Sequence, residues 1–250
     1  MRSYSIEMKL SNPKSREALS IKRRYNVLEV GPGNHPHKRS NVLLDKFVDD
    51  NYHRAGDLKI LKHQRFVEGD GETLPFKDKE FDYLICCHVL EHVTDPIKFL
   101  KEQSRVAGMG YLETPSIIGE YLMPKESHRW VIQEIDGKIV MYEKEKINFH
   151  ISSDMGYIFQ EYLPKNSIGY KIMERTHRNL TVVNYEWKDD IDVLVNPDST
   201  YYSDFFTKPF REDMFQKLMP NRSLKTELAN SILAIGDIIT SVVKSKLLKV

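Results

Sequence analysis

The sequence predicts an α/β protein with a doubly wound, mainly parallel sheet, and three observations support that class. Between residues 25 and 116, short apolar runs alternate with helical or turn segments, as strands joined by crossovers do. A glycine-containing turn, Gly31-Pro-Gly33, directly follows the first of these runs. Acidic or imidazole side chains stand at the ends of the runs, where sheets of this kind bind ligands.

Five strands are predicted in this region, over residues 25–30, 41–45, 65–69, 81–87 and 110–114. The fourth is apolar throughout, as expected of a strand buried on both faces. The side chains at the strand ends that can carry chemistry are Glu29, Asp45, Asp70, His88 and Glu113. Because parallel strands end at one edge of a sheet, we expect these side chains to lie close together.

One helix is predicted over residues 95–107, ahead of Gly108. Asp95 suits the N-cap and Pro96 suits the first helical position. The residues expected to face the sheet are Ile97, Leu100, Ser104 and Ala107.

The whole chain is interpreted as one α/β domain with additions. They are an N-terminal segment (1–24, with a short helix over 15–24), the core (25–116), an inserted cap or substrate region (117–180), a C-terminal antiparallel hairpin that completes the core sheet (181–196), and a helical extension (197–250).

The charge and the cysteines limit the class of function. With 37 basic and 36 acidic residues the net charge is +1, which gives no strong signal for nucleic-acid binding. Cys86 and Cys87 are adjacent and form neither a disulfide framework nor a zinc-binding spacing, so we expect no metal and a reducing compartment. The start has no secretory signal and no run of about 18 apolar residues occurs, so we expect a cytoplasmic protein.

The first glycine turn argues against a nicotinamide cofactor. A dinucleotide fingerprint would place a third glycine at position 36, where this chain has Pro36, and would begin a helix there. Only residues 34–40 separate the first two strands, which is too short for that helix. A nucleotide-dependent oxidoreductase is therefore disfavoured.

Two aspartates are suited to a nucleoside ligand. Asp45 follows the second strand and can accept both hydroxyls of a ribose, and Asp70 can accept from an adenine amino group beside the amides of Gly71 or Glu72. The alternatives are a solvated strand-end carboxylate for Asp45 and an ordinary turn aspartate for Asp70. Together with Glu29, they would place three acids at the ends of strands along one sheet edge.

Several stretches in the same order resemble the Rossmann-like, class I S-adenosylmethionine-dependent methyltransferases of the type 11 kind. They are Val27-Leu-Glu-Val-Gly-Pro-Gly33, Gly69-Asp-Gly-Glu-Thr-Leu-Pro-Phe76, Phe81-Asp-Tyr-Leu-Ile-Cys-Cys-His-Val-Leu-Glu-His92, Ser104-Arg-Val106 and Tyr111-Leu-Glu-Thr-Pro115. The resemblance implies S-adenosylmethionine as the cofactor and methyl transfer as the activity.

The resemblance also implies cofactor contacts: Glu29, Gly31 and Gly33 around the methionine portion, Asp45 at the ribose, Asp70, Gly71 and Glu72 at the adenine, and Cys87 and His88 near the amine and sulfonium. One departure is the missing helix between the first two strands. His35, Pro36, His37, Lys38 and Arg39 replace it and are expected to reshape the mouth of the site.

The acceptor is interpreted as a small molecule or saccharide, methylated on oxygen. Candidate bases are His88, His128 and Glu113, with His92 alternatively a helix-packing residue. His128, Arg129 and Trp130 are candidate acceptor contacts, or else a polar loop with a packed tryptophan. No Asn-Pro-Pro-Tyr or Asp-Pro-Pro-Tyr segment follows the fourth strand, where amino-directed nucleic-acid methyltransferases of this fold carry one.

Two rival functions stay open. One is a non-catalytic cofactor-binding protein of the same fold. The other is a nucleic-acid methyltransferase, which a basic stripe would favour; its candidate residues are Lys38, Arg39, Arg54, Lys59 and Lys62.

The C-terminal tail has apolar residues at helical spacing: Leu228, Ile232, Ile235, Ile238, Ile239, Val242 and Val243. Lys244, Lys246 and Lys249 follow, so the helix suits a membrane surface. Packing on its own domain or on a second subunit is the favoured alternative. The oligomeric state is left open.

Overall fold

A computed structural model describes residues 9–48, 56–151 and 153–247. Ten strands form two sheets: β1 (Lys9–Ser11), β2 (Val27–Val30), β3 (Val42–Asp45), β4 (Arg65–Glu68), β5 (Tyr83–Cys87), β6 (Met109–Pro115), β7 (Trp130–Ile135), β8 (Lys138–Glu143), β9 (Val182–Lys188) and β10 (Val193–Val195). The larger sheet has seven strands in the order β1-β9-β6-β5-β2-β3-β4, and the smaller has the order β10-β8-β7. The α/β class is confirmed.

The five strands predicted in the core are confirmed as β2 to β6. They pair in parallel, β2 with β3 and β5, β3 with β4, and β5 with β6. The central strands are buried on both faces; Val27, Leu28 and Ile85 each have no exposed surface. The carboxyl ends of these strands therefore meet at one edge, and the segment between β2 and β3 contains turns but no helix.

The helices are α1 (Pro96–Val106), α2 (Ile117–Leu122), α3 (Leu163–Asn166), α4 (Ile168–Thr176), α5 (Thr200–Thr207), α6 (Glu212–Leu218) and α7 (Leu224–Leu247). Two 3₁₀ turns (Leu90–His92 and Arg178–Leu180) and a π-helical turn (Tyr157–Tyr162) complete the set. Residues 15–24, predicted as a short helix, form turns and extended chain instead.

Helix α1 begins as predicted, and the predicted burial of Leu100 and Ala107 is confirmed, but that of Ile97 is not. The Asp95 carboxylate accepts from the Lys98 amide, and Pro96 occupies the first turn. The buried side chains are Pro96, Phe99, Leu100, Gln103 and Val106. Ile97 is 44% exposed, so its predicted burial is wrong. Phe99, 1% exposed, packs in the core beside the larger sheet.

The predicted C-terminal hairpin is wrong, although both of its strands exist. β9 lies in the larger sheet, antiparallel to β6, whereas β10 pairs in parallel with β8 in the smaller sheet. The free side of β9 is taken by β1 from the N-terminal segment. Between the two strands, Asp189 has φ 65° and turns the chain away from the larger sheet.

The region interpreted as a cap contains a second folded layer. β7 and β8 form an antiparallel hairpin around Asp136 and Gly137, both with positive φ. On one face Trp130, Ile132, Ile139 and Met141 join the core of the larger sheet. On the other face Val131, Ile135, Val140 and Tyr142 pack with Phe205, Phe206 and Met214.

The predicted tail helix is present as α7, a helix of 24 residues. It packs along α4, and Ala234 is its one fully buried residue among those whose side chains are described. Its apolar residues are largely exposed, Leu224 at 76% and Ile232 at 69%. By length and composition, residues 224–243 could cross a membrane. Lys249 and Arg54 lie outside the described residues.

Candidate functional site

A cleft of about 220 Å³ opens at the carboxyl ends of the parallel strands. Of the nine predicted cofactor-binding residues, seven line it: Gly31, Gly33, Asp45, Asp70, Gly71, Glu72 and His88. The apolar part of its wall includes Leu44, Val89 and Phe99. Glu29 and Cys87 do not line it.

The glycines of the cleft are required by geometry. Gly31 and Gly33 have φ of 67° and 56°, in the left-handed region that side chains rarely adopt. A Cβ on Gly31 would lie 2.2 Å from Cγ2 of Val89. A Cβ on Gly71 would lie 2.4 Å from Cε2 of Phe99. The walls of the cleft approach these backbones so closely that a side chain would have to displace them.

The two aspartates stand on the same side of the cleft. Asp45 accepts from the Phe47 amide at 3.0 Å. Asp70 accepts from Lys46 Nζ at 2.7 Å and from the Glu72 amide at 2.9 Å. Burial alone would raise the pKa of Asp70, but these two donors outweigh it and lower the pKa. Asp70 is therefore an anion ready to accept from a ligand.

Glu72 lines the cleft, but its amide and carboxylate are hydrogen-bonded within the protein. Its amide is bonded to Asp70, and its carboxylate accepts from the amides of Thr94 and Asp95 at 2.8 and 3.1 Å. These bonds fix the start of α1 against the loop after β4. The amide predicted to face an adenine is thus already engaged within the protein.

Glu29 is turned away from the cleft. It is 1% exposed and accepts from Ser40 Oγ at 2.7 Å, from the His37 amide at 2.8 Å and from Arg16. Burial raises the pKa of its carboxyl, opposed by Arg16 and the other donors. The residue expected to touch the methionine portion instead holds the turn after β2.

Cys87, at the end of β5, does not line the cleft either. Its side chain packs against a buried group made up of Val27, Tyr83, Ile85 and Tyr111. Burial raises the pKa of the thiol, and the nearby Glu113 carboxylate adds to this effect. Cys87 is only partly buried, and it packs at the end of β5 without lining the cleft.

His88 lies at the lip of the cleft with a strained backbone, φ 56°. Its Nε2 is 3.2 Å from Glu113 Oε1, and its Nδ1 is 3.4 Å from Glu91 Oε1. Burial would lower the pKa of His88, but the two carboxylates outweigh it and raise the pKa to about 9. His88 is thus a cation at neutral pH and a poor resting base.

Glu113 is held by three donors. Arg178 Nη2 lies 2.6 Å from Oε1, His88 contacts the same oxygen, and the Tyr111 hydroxyl donates to Oε2. Burial would raise the pKa of Glu113, but His88 and Arg178 bring it down to about 2. As a candidate base Glu113 is therefore weak, and its geometry suits the positioning of His88.

His128, Arg129 and Trp130 have separate roles. His128 is 5% exposed, and its Nδ1 is 2.6 Å from Glu120 Oε2. Arg129 is half exposed and forms an ion pair with Glu143 at 2.6 Å. Trp130 is 4% exposed and packs in the core, which favours the alternative of a packed tryptophan.

Sequence reasoning missed Arg16, Arg178, Glu91 and Glu120, which surround the strand ends. Arg16 pairs with Glu29, and Arg178 with Glu113 65 positions away. No local sequence pattern predicts such pairs, because the fold of the sheet brings the partners together. Lys46 could have been predicted as a site residue, since it directly follows Asp45 at the end of β3.

Comparison with known proteins identifies a methyltransferase domain in this chain. Residues 44–110 match the family model of a methyltransferase domain. The resemblance to Rossmann-like S-adenosylmethionine-dependent methyltransferases is thereby confirmed, and the family implies S-adenosylmethionine as the cofactor.

Individual relatives share only parts of the chain. Norajmaline N-methyltransferase from Rauvolfia serpentina is 41% identical over 56 residues, which is 22% of this chain and 18% of that protein. A methyltransferase structure from Thermotoga maritima is 22% identical, covering 40% of this chain and 48% of its own, with a TM-score of 0.30. The PH0226 protein from Pyrococcus horikoshii OT3 is 18% identical, covering 68% and 84%, with a TM-score of 0.36. The chain thus spans under a fifth of the curated relative.

Proposed function

We propose that this protein transfers the methyl group of S-adenosylmethionine to a hydroxyl oxygen of a small molecule, with saccharides as the first class to test. The observation that carries the proposal is the cleft at the strand ends. It combines Gly31 and Gly33 with Asp45 and Asp70, and the two aspartates lie inside the segment that matches the family model, residues 44–110.

The residues of the cleft fit the cofactor. Gly31 lies directly against Val89 in the cleft wall, and without a side chain it makes this close approach and leaves its peptide facing the cleft. The Asp45 carboxylate at the end of β3 is suited to ribose hydroxyls. Asp70, kept ionised by Lys46, is suited to an amino group of adenine. The apolar side chains of Leu44 and Phe99 suit a flat ring.

The chemistry asked of the protein is mainly alignment. The bound cofactor supplies an electrophilic methyl group, so the acceptor atom must be held in line with the carbon–sulfur bond. His88 is a proton donor in its resting state and can orient an acceptor oxygen from the lip of the cleft. The third candidate base, His128, is buried beside Glu120 and does not line the cleft.

Three features favour a small hydroxyl compound in the cytoplasm. β5 runs into Cys87-His88-Val89-Leu90, with none of the residues that amino-directed nucleic-acid methyltransferases place there. The net charge of +1 offers little attraction for a phosphate backbone. Cys86 and Cys87 are free thiols, in keeping with a reducing compartment.

The test has two stages. Calorimetry should show S-adenosylmethionine binding and no NAD binding. Transfer of a labelled methyl group should then be measured against separate pools of sugars, other hydroxyl compounds, amines and nucleic acids. Transfer to the amine or nucleic-acid pool would overturn the assignment to a hydroxyl compound. Binding with no transfer to any pool would favour a non-catalytic cofactor-binding protein.

A further inference from the structure

Three potential ligand side chains converge beside the cleft. Glu91 and His92 belong to the 3₁₀ turn after β5, and His128 precedes β7. One ligand atom from each lies within 4.8 Å of the other two. We propose that Glu91, His92 and His128 bind a divalent transition-metal ion, Zn²⁺ by preference. This proposal is independent of the methyl-transfer activity, because it concerns metal binding alone.

The Glu91 carboxylate supplies the first argument. Glu91 is 1% exposed, and its Oε2 accepts from Thr114 Oγ1 at 3.0 Å. Its Oε1 is buried and accepts no hydrogen bond among the described residues. The groups that face it are His88 Nδ1 at 3.4 Å and His128 Nε2 at 3.9 Å. A buried carboxylate oxygen without a hydrogen bond is costly, and a cation between it and His128 would satisfy it.

The orientation of His128 supplies the second argument. Its Nδ1 is 2.6 Å from Glu120 Oε2, and because an ionised carboxylate can only accept, Nδ1 carries the proton. The other ring nitrogen, Nε2, faces Glu91 Oε1 at 3.9 Å. Lys144 lies 2.6 Å from the other oxygen of Glu120 and balances its charge. Histidines that bind metals are held in this way by a carboxylate behind the ring.

His92 is fixed by a similar bond. Its Nδ1 is 2.9 Å from the carbonyl oxygen of Ser127, which can only accept, so this nitrogen is the donor. The rings of His92 and His128 are 4.7 Å apart and nearly perpendicular. The Arg129 amide donates to the Glu91 carbonyl at 2.9 Å, which ties the two ligand-bearing segments together. The ligands are thus held in place before any ion arrives.

The donor set indicates the kind of ion. Two imidazole nitrogens and one carboxylate oxygen suit Zn²⁺ and its transition-metal neighbours better than Mg²⁺ or Ca²⁺. Bonds of about 2.0–2.2 Å in a tetrahedron place ligand atoms roughly 3.3 Å apart, so modest side-chain rotation would close the group. Three protein ligands leave a position open, and His92 also lines the cleft. The ion would therefore lie at the cleft edge.

A different explanation is that Glu91 simply balances protonated histidines, with no ion. The two explanations are separated by metal binding to full-length protein without a histidine tag, after treatment with a chelator. Zn²⁺ is titrated in competition with a chromophoric chelator, and Co²⁺ is used as an absorbing substitute. Matched variants are Glu91→Gln and His128→Gln, with the exposed His150→Gln as control.

We expect one equivalent of Zn²⁺ in the wild type and in His150→Gln. Glu91→Gln and His128→Gln should bind at least about 100-fold more weakly, and Glu120→Gln, behind the ring, about 10- to 100-fold more weakly. The Co²⁺ spectrum should show ligand-field bands without thiolate charge transfer, since Cys86 and Cys87 are outside the group. That spectrum tests the wild type even where a variant fails to fold.

Wild-type affinity no higher than that of Glu91→Gln, or thiolate bands in the Co²⁺ spectrum, would overturn the metal site. Calorimetry with S-adenosylmethionine keeps the two proposals apart. Cofactor binding without Zn²⁺ binding would remove the metal proposal alone, and Zn²⁺ binding without cofactor binding would remove only the proposed methyl transfer.

Discussion

His88 Nε2 lies 3.2 Å from Glu113 Oε1, and the two residues follow neighbouring parallel strands, β5 and β6. The pairing favours the charged form of both side chains, so it raises the pKa of the histidine and lowers that of the glutamate. The pKa of His88 rises to about 9 and that of Glu113 falls to about 2. The edge of the cleft therefore carries a fixed ion pair at neutral pH, continued by Arg178.

The low pKa of Glu113 predicts acid sensitivity. A carboxyl whose pKa falls on folding stabilises the protein above its unfolded pKa, near 4.5, and this contribution is lost as pH falls towards about 2. The shift corresponds to on the order of 3 kcal/mol. Glu113→Gln should be less stable at pH 7 and should lose less stability between pH 5 and 2, measured by urea unfolding at each pH. The exposed Glu212→Gln is the control. If the free energy of unfolding falls by the same amount between pH 5 and 2 in the wild type and in Glu113→Gln, the prediction is contradicted.

Gly31→Ala is expected to damage the cofactor cleft. The new Cβ would lie 2.2 Å from Val89 Cγ2 on a backbone with φ 67°. Gly137→Ala is a matched control, because Gly137 has φ 79° but nothing within 4 Å of an added Cβ. Both should lose about 1–3 kcal/mol of stability from backbone strain, measured by urea unfolding. Only Gly31→Ala should also lose S-adenosylmethionine affinity in calorimetry. Equal cofactor affinity in the two folded variants would argue against a ligand at this backbone.

Asp45→Ala is expected to weaken S-adenosylmethionine binding by about 1–3 kcal/mol, because ribose hydroxyls would lose a charged acceptor. Calorimetry on the folded variant measures the loss, and the exposed Asp198→Ala serves as the control. An affinity unchanged from the wild type would remove Asp45 from the ribose site.

Arg16→Ala is expected to destabilise the fold. Arg16 pairs with Glu29, which is 1% exposed, and also donates to the His35 carbonyl at 2.9 Å. Removing the cation leaves a buried carboxylate with its charge uncompensated, at a cost of about 3–5 kcal/mol. Urea unfolding at pH 7 measures this cost. Adding Glu29→Gln should recover part of it; if the double variant loses the sum of the two single losses, the pair is not coupled.

Part of the site could be predicted from the sequence, because the residues that form it are identified by their immediate neighbours in the chain. Gly31 and Gly33 follow an apolar run directly, and Asp45 and Asp70 follow the next two runs. A parallel sheet gathers the carboxyl ends of its strands at one edge, so the order of residues along the chain was enough to place these four together.

Other local signals were present and were not used. Asp136-Gly137, flanked by apolar alternation, is a strong predictor of a two-residue hairpin turn, and it forms the turn between β7 and β8. The sheet-facing side of α1 was predicted to include Ile97, which is exposed, since helical spacing alone does not say which apolar residue meets the sheet.

The sequence alone determined the class of the fold, the five parallel strands and the glycine and aspartate positions of the cleft, because each depends on neighbours along the chain. Only the tertiary structure decided that β1 takes the edge of the sheet, that Glu29 faces Arg16 instead of the cleft, and that Glu91, His92 and His128 converge. These relationships join separate segments of the chain. They depend on which face of each strand packs in the core and which faces solvent, and no local sequence pattern specifies this.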